Sequence, residues 1–187
     1  LDFETQWRNK REVSGGGILL DQGIHMADVM LQFCGSFNQV HSFVDRLHWK
    51  IDVEDNAFAI MKNEEGQVGM LMSSATQWKH TFNLEIMLEE GYLGLRGILT
   101  NSGSYGEESL VVARKSFEAD KTGNPDEDTY YYDEDNSWAL ELREFVECVR
   151  EDQPIRVGNS ADALRVMELI YDIYHADPRW SSRHLEK

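Results

Sequence analysis

The chain has 187 residues, enough for one domain with a substantial hydrophobic core. Its 41% hydrophobic and 28% charged residues are the proportions of a soluble globular protein, and no run of about 18 apolar residues exists to span a membrane. A net charge of −16, from 18 basic and 34 acidic side chains, repels phosphate backbones and anionic lipid and argues against a nucleic-acid partner.

Residues 1–14 are polar, carry Trp7, and read as a lead-in rather than a complete element. A flexible Ser14-Gly15-Gly16-Gly17 loop follows. The pattern from about Leu20 to Cys34 is helical, with Gly35 as its C-terminal stop. Leu20, Ile24, Ala27, Leu31 and Cys34 form one apolar stripe, and Met26, Met30 and Phe33 form another. A helix apolar around most of its circumference is a buried helix. Its polar stripe of Asp21, His25, Asp28 and Gln32 must then face a cleft, a partner domain or buried hydrogen-bond partners. Gly23 costs about 1 kcal/mol relative to Ala inside a helix. It marks either a close approach of another element or a helix that begins late.

Val40–Trp49 reads as a strand with Phe43, Leu47 and Trp49 on one face, and residues 51–55 as a turn region. Strands are predicted over Asn56–Met61 and Val68–Thr76, joined by the Asn63-Glu64-Glu65-Gly66 hairpin loop. Further strands are predicted at Thr81–Leu88, Tyr92–Leu99, Ser109–Val112 and Thr129–Tyr132. Between Glu118 and Asp135 lies an acidic, solvated loop with the runs Asp126-Glu127-Asp128 and Asp133-Glu134-Asp135. Ser137–Arg150 is a helix with Trp138, Leu142, Phe145 and Val149 at helical spacing and Pro154 beyond its end. Ser160 caps a last helix with Ala163, Val166, Met167, Ile170, Tyr171 and Tyr174 on one face, and the tail from Asp177 reads as polar and frayed. The order helix, strand meander, two helices predicts an α+β domain, an antiparallel sheet with helices on one face. Gly15-Gly16-Gly17 lacks the G-x-G-x-x-G spacing and has no strong strand before it, so no dinucleotide fingerprint is present.

Cys34 and Cys148 read as two buried free thiols of a reducing cytoplasm, although the count permits one disulfide. The chemistry-bearing pair is Asp21 and His25, four apart and therefore on one helical face. A histidine titrating near neutrality can take the proton of an alcohol as hydride leaves its carbon. A nearby carboxylate can orient the imidazole or grip a neighbouring hydroxyl. The same pair also fits an ordinary surface feature, with Asp21 favoured by a helix N-terminus. Two ligands do not make a metal site, and no third is evident. His41 and His48, placed in a strand, read mainly as strand surface. Trp78, Lys79 and His80 lie at a strand end as possible sugar contacts. Tyr130-Tyr131-Tyr132 suits sheet packing or an interface, and His175 an exposed position.

The segment from Gly15 to Asp28 resembles the G-G-G-x-L-x-D-x-G-x-H-x-x-D signature of the glucose-fructose oxidoreductase, inositol dehydrogenase and rhizopine-catabolism (Gfo/Idh/MocA) family. Val53-Glu54-Asp55-Asn56-Ala57, the Gly66 hairpin, Ser73-Ser74, and Leu84-Glu85-Ile86 leading to Glu90-Gly91-Tyr92-Leu93-Gly94 resemble its later segments in order. So do Phe145 through Pro154 to Gly158 and Ala161 to Tyr174. The resemblance covers about residues 7–175. It implies that residues 1–187 are the C-terminal substrate-binding and oligomerisation domain of such an enzyme. The implied fold is a large open antiparallel sheet with helices on one face, of the dihydrodipicolinate-reductase-like type.

The resemblance further implies His25 as proton acceptor and Asp21 as substrate-binding or His-orienting carboxylate, with Trp78 as an added substrate contact. The family's E-K-P lysine and Rossmann fingerprint are absent, so the chain reads as truncated and inactive alone. NAD or NADP would bind to its own missing N-terminal Rossmann domain and not to this chain. The expected partners are a sugar, cyclitol or related polyol and further copies of the chain through the open sheet. The alternatives are a non-catalytic sugar-binding or assembly module, and a glycosidase of the same family that oxidises its substrate transiently.

Overall fold

A computed structural model describes residues 3–118 and 121–185. Positions 119–120 of the acidic segment, 1–2 of the lead-in and 186–187 of the tail lie outside the described residues. The fold is α+β with antiparallel sheets, as the order of elements predicts, and its backbone divides into two compact units. The first comprises residues 1–76 and 155–187, the second residues 77–154.

In the first unit, β1 (Gln39–Asp45), β2 (Asn56–Lys62) and β3 (Val68–Ser74) form an antiparallel sheet in the order β1-β2-β3. Alternation decides its two faces. Val44, Ala57 and Ser73 stand in one cross-strand row, and Ser42, Ala59 and Leu71 in the next; all six are buried. Helices α2 (Ile24–Cys34) and α4 (Ser160–Ala176) pack on that face and on each other. The Ser42 hydroxyl donates to the Ile173 carbonyl at 2.6 Å, which satisfies a helix carbonyl inside the core. Gly69 is required by crowding, because a Cβ there would lie 2.4 Å from Met30 Cε. The opposite rows, Phe43–Phe58–Met72 and His41–Ile60–Met70, face outward.

β1 ends at Asp45, so Leu47, His48 and Trp49 are not strand residues as predicted; Phe43 and Leu47 are exposed. The reason is the Asp55 carboxylate, which draws the backbone N–H groups of Leu47, His48 and Trp49 around itself at 2.8–2.9 Å. The lead-in is more ordered than its polarity predicts. It forms short 3₁₀ turns at Phe3–Thr5 and Trp7–Asn9, then α1 (Arg11–Ser14). Asp52 fastens it by accepting from the Arg11 N–H at 2.8 Å.

α4 is capped by Asn159, not Ser160. Its side chain accepts from the N–H groups of Ala161 and Asp162, and Asp162 answers by accepting from Asn159. The buried face of α4 is Val166, Leu169, Ile170, Ile173 and Tyr174, whereas Ala163 and Tyr171 are exposed. The tail is not frayed through its described length. Asp177 caps α5 (Pro178–His184), accepting from the Arg179 and Trp180 N–H groups with one oxygen and from Val44 N–H with the other. Pro178 at the first helical position and buried Trp180 complete the stop and restart of the chain.

In the second unit, β4 (Asn83–Leu88), β5 (Gly91–Arg96), β6 (Glu108–Arg114) and β7 (Glu127–Tyr132) form an antiparallel meander in sequence order. Among the described residues, seven strands thus form two ladders of three and four. Apart from half-buried Lys121 and Pro125, the described residues of the acidic segment are exposed, and β7 takes up part of it, with Tyr130, Tyr131 and Tyr132 all exposed. α3 (Ser137–Glu151) follows. Its stripe of Trp138, Leu142, Phe145 and Val149 is exposed, and Cys148 is buried. Cys34 and Cys148 are both free thiols. No helix of the described residues is long and apolar enough to cross a membrane.

Candidate functional site

The Gly15–Gly17 loop leads into a π turn, Leu19–Gly23, that runs directly into α2. Both readings of Gly23 hold: the α-helix starts after it, and a Cβ there would lie 3.1 Å from Ser73 on β3. The turn thus rests on the sheet, and the Ser73 hydroxyl donates to the Ile18 carbonyl at 3.1 Å.

The clamp that sets this turn is Glu54, fully buried just before β2. Gly17 N–H donates to both of its carboxylate oxygens at 2.9 Å, and Leu19 N–H to Oε1 at 3.1 Å. The buried Tyr174 hydroxyl, from α4, donates to Oε1 at 2.7 Å. Ile18 N–H donates to the Glu54 carbonyl at 3.1 Å. A Cβ on Gly17 would lie 2.0 Å from that carbonyl, and one on Gly16 2.4 Å from the Tyr174 hydroxyl, so close backbone approach explains those two glycines. Burial pushes the Glu54 carboxyl up from its ordinary value. The hydrogen bonds from Tyr174, Gly17 and Leu19 pull it back without cancelling the rise. Burial, then the charge of Glu54, pushes the Tyr174 phenol far up.

On this support the structure brings Asp21 and His25 to one side of the turn and helix. Both are exposed, while Gly23, Ala27, Met30 and Leu31 turn inward. Gln32 extends the exposed stripe, and Asp28 is half-buried in it. The Asp21 carboxylate is held by Arg8 Nε at 3.2 Å and by Gln22 Nε2 at 3.0 Å, not by His25. The His25 imidazole makes no hydrogen bond with the described residues, leaving its ring nitrogens available to a ligand.

The other candidates stand on other elements. His41 is exposed on β1, and the His48 ring stands edge-on to Trp49. Trp78 is 79% exposed and belongs to the second unit, as does His80, whose Nδ1 lies 3.1 Å from Ser104 Oγ. His175 is exposed and its Nδ1 lies 3.3 Å from Ser181 Oγ. Among the described residues no three His, Cys, Asp or Glu side chains gather where a metal could sit.

The glycine loop does not fit a dinucleotide. A pyrophosphate needs free backbone N–H groups at a helix start, and here those of Gly17 and Leu19 are already bonded to a buried carboxylate. Glu54 and Tyr174 lie in segments that resemble the family but, like Arg8, were given no site role from sequence. Glu54 has a faint signal, a Glu-Asp pair between apolar residues immediately before a strand; Tyr174 and Arg8 have none.

Residues 2–94 match the family profile described as the GFO/IDH/MocA C-terminal domain. The chain carries that domain. No curated protein matches the sequence. Among solved structures, the fold is similar to a levoglucosan dehydrogenase in complex with NADH, with TM-score 0.78 and 18% identity over 96% of this chain and 53% of the other. It is also similar to the aldose-aldose oxidoreductase of Caulobacter crescentus, with TM-score 0.72 and 18% identity over 96% and 50%. A third is the WlbA dehydrogenase of Bordetella pertussis in complex with NADH and UDP-GlcNAcA, with TM-score 0.66 and 19% identity over 92% and 46%. At these identities the likeness speaks for the fold. This GFO/IDH/MocA chain spans about half the length of the solved structures it matches.

Proposed function

We propose that the chain is the substrate-binding and proton-transfer half of an NAD(P)-dependent oxidoreductase acting on the CH–OH group of a sugar, cyclitol or related polyol. The observation that carries this is the joint exposure of Asp21 and His25 on a turn and helix whose other side is buried, inside the segment that matches the family. His25 accepts the proton of the substrate hydroxyl through a free ring nitrogen. Asp21, steadied by Arg8, grips a neighbouring hydroxyl. The nicotinamide cofactor binds to a Rossmann domain outside this chain, which accounts for the occupied glycine loop and makes the chain inactive alone.

His25→Ala in the full-length enzyme should lower turnover about 10²–10⁴-fold, the usual contribution of a positioned acid–base group, with an unchanged circular dichroism spectrum. Turnover equal to wild type would remove His25 from the chemistry.

Self-association through the first sheet is part of the same reading. Phe43, Phe58, Ile60, Met70 and Met72 form one contiguous outward face, an apolar surface of the kind that marks interfaces. Light scattering should give at least a dimer. A strictly monomeric mass that Met70→Glu leaves unchanged would count against it.

A further inference from the structure

A cavity lies in the first unit, formed by residues remote in sequence from Asp21 and His25. It measures about 200 Å³ and is lined by the end of β1, the loop before β2, and α5: Asp45, Arg46, Asp52, Trp180, Arg183 and His184 among others. In a chain of net charge −16, this gathering of cations runs against the overall charge. Arg179 also lines it, paired to Asp45 at 3.6 Å.

The acidic groups of the cavity are already engaged. Asp52 Oδ1 accepts from the Arg11 N–H at 2.8 Å, and Asp45 Oδ1 from the Arg46 N–H at 2.8 Å. The donors are in surplus. Arg46 reaches the Ile51 carbonyl through one guanidinium nitrogen, while Arg183 has no ion pair or hydrogen bond among the described residues. Two buried donors also lack an acceptor, Trp180 Nε1 and Arg11 Nη2. The Arg11 guanidinium stands 5.0 Å over the Trp180 ring, so these two belong to one locality. Trp180 itself is only 4% exposed. Buried donors without acceptors are rare, and each calls for a partner.

We propose that this cavity binds a tetrahedral oxyanion, a phosphate group free or carried on a small molecule, with Arg183 and Arg46 as donors. Guanidinium forks match phosphate oxygens geometrically, and charge-assisted bonds in a partly enclosed site are the strong kind. The local field agrees. Burial pushes the His184 imidazole below its ordinary value, and Arg11, Arg183 and Arg46 push it further against the opposing Asp45.

Calorimetric titration of the purified protein with inorganic phosphate, at constant ionic strength set by chloride, tests this. Saturable one-site binding at millimolar phosphate or below is expected, weakened about tenfold by Arg183→Ala. Arg143→Ala, on α3 in the second unit, should leave it unchanged. Circular dichroism confirms that each variant folds. Absence of saturable binding, equal affinity in Arg183→Ala, or acetate binding as tightly as phosphate would each overturn the proposal.

Discussion

Glu54→Ala is expected to destabilise the protein by about 3–5 kcal/mol, the range for stripping the partner from a buried charged network. The carboxylate satisfies three buried donors, the N–H groups of Gly17 and Leu19 and the hydroxyl of Tyr174. At about 1–3 kcal/mol for each buried donor left unsatisfied, the loss is a large share of the roughly 5–15 kcal/mol that holds a domain folded. Urea unfolding should show a lower midpoint with an unchanged slope. Tyr174→Phe removes one of the three donors and should cost less. A loss below about 1 kcal/mol in Glu54→Ala would mean that water takes over the carboxylate's place.

The pH dependence of this clamp has a definite sign. The folded-state carboxyl lies above its ordinary value because burial outweighs the hydrogen bonds. Its contribution is therefore complete below the unfolded value, near 4.3, and declines as pH rises through the raised one. Glu54→Gln cannot ionise and escapes that decline. The stability gap between wild type and Glu54→Gln should narrow from acid to neutral pH. A widening gap would show that the donors of Gly17, Leu19 and Tyr174 hold the carboxylate charged.

The helix that carries Asp21 and His25 was legible because its evidence is local. The apolar stripes fix its buried side, Gly35 its end, and Gly23 its contact with the sheet. The clamp beneath it was not. Residues 51–55 read as a turn region, and nothing in them marks Glu54 for burial, because charged residues are almost never fully buried without partners. The partners of Glu54 are backbone N–H groups 35 and 37 residues away and a tyrosine 120 away. Backbone donors leave no trace in a sequence. Two other misses did leave one. Asp177 followed by Pro178 is a cap and first-turn signal, and Asn159 followed by Asp162 is a capping box. The first was outweighed by the polar composition of the tail, the second by Ser160, an equally good cap by residue type. Trp49 and Leu47 look like strand residues by type and alternation, and only the carboxylate of Asp55 takes them out of the ladder.

Asp55→Ala should cost about 3 kcal/mol or more by the same reasoning of orphaned donors, because Asp55 closes the loop between β1 and β2. Its Oδ1 accepts from Leu47 N–H and Asn56 Nδ2, and its Oδ2 from His48 N–H and Trp49 N–H, all within 2.9 Å. Its backbone joins the two strand ends as well, donating to Asp45 and accepting from Ala75. Here burial raises the carboxyl, but the bonds from Leu47, Trp49, His48 and Asn56 together outweigh it, and the net displacement is downward. The sign is thus opposite to that of its neighbour. The contribution of Asp55 is complete above the unfolded value, near 3.9, and is lost as pH falls through the lowered one. Asp55→Asn keeps one acceptor oxygen but turns an amide toward backbone donors, so it is destabilised at neutral pH and insensitive to acid at this position. Urea midpoints followed from about pH 5 to pH 2 should fall more steeply in wild type than in Asp55→Asn. Parallel curves would mean that the loop does not depend on the ionised carboxylate. With Glu54→Gln beside it, the pair separates two adjacent acids by the direction in which each responds to pH.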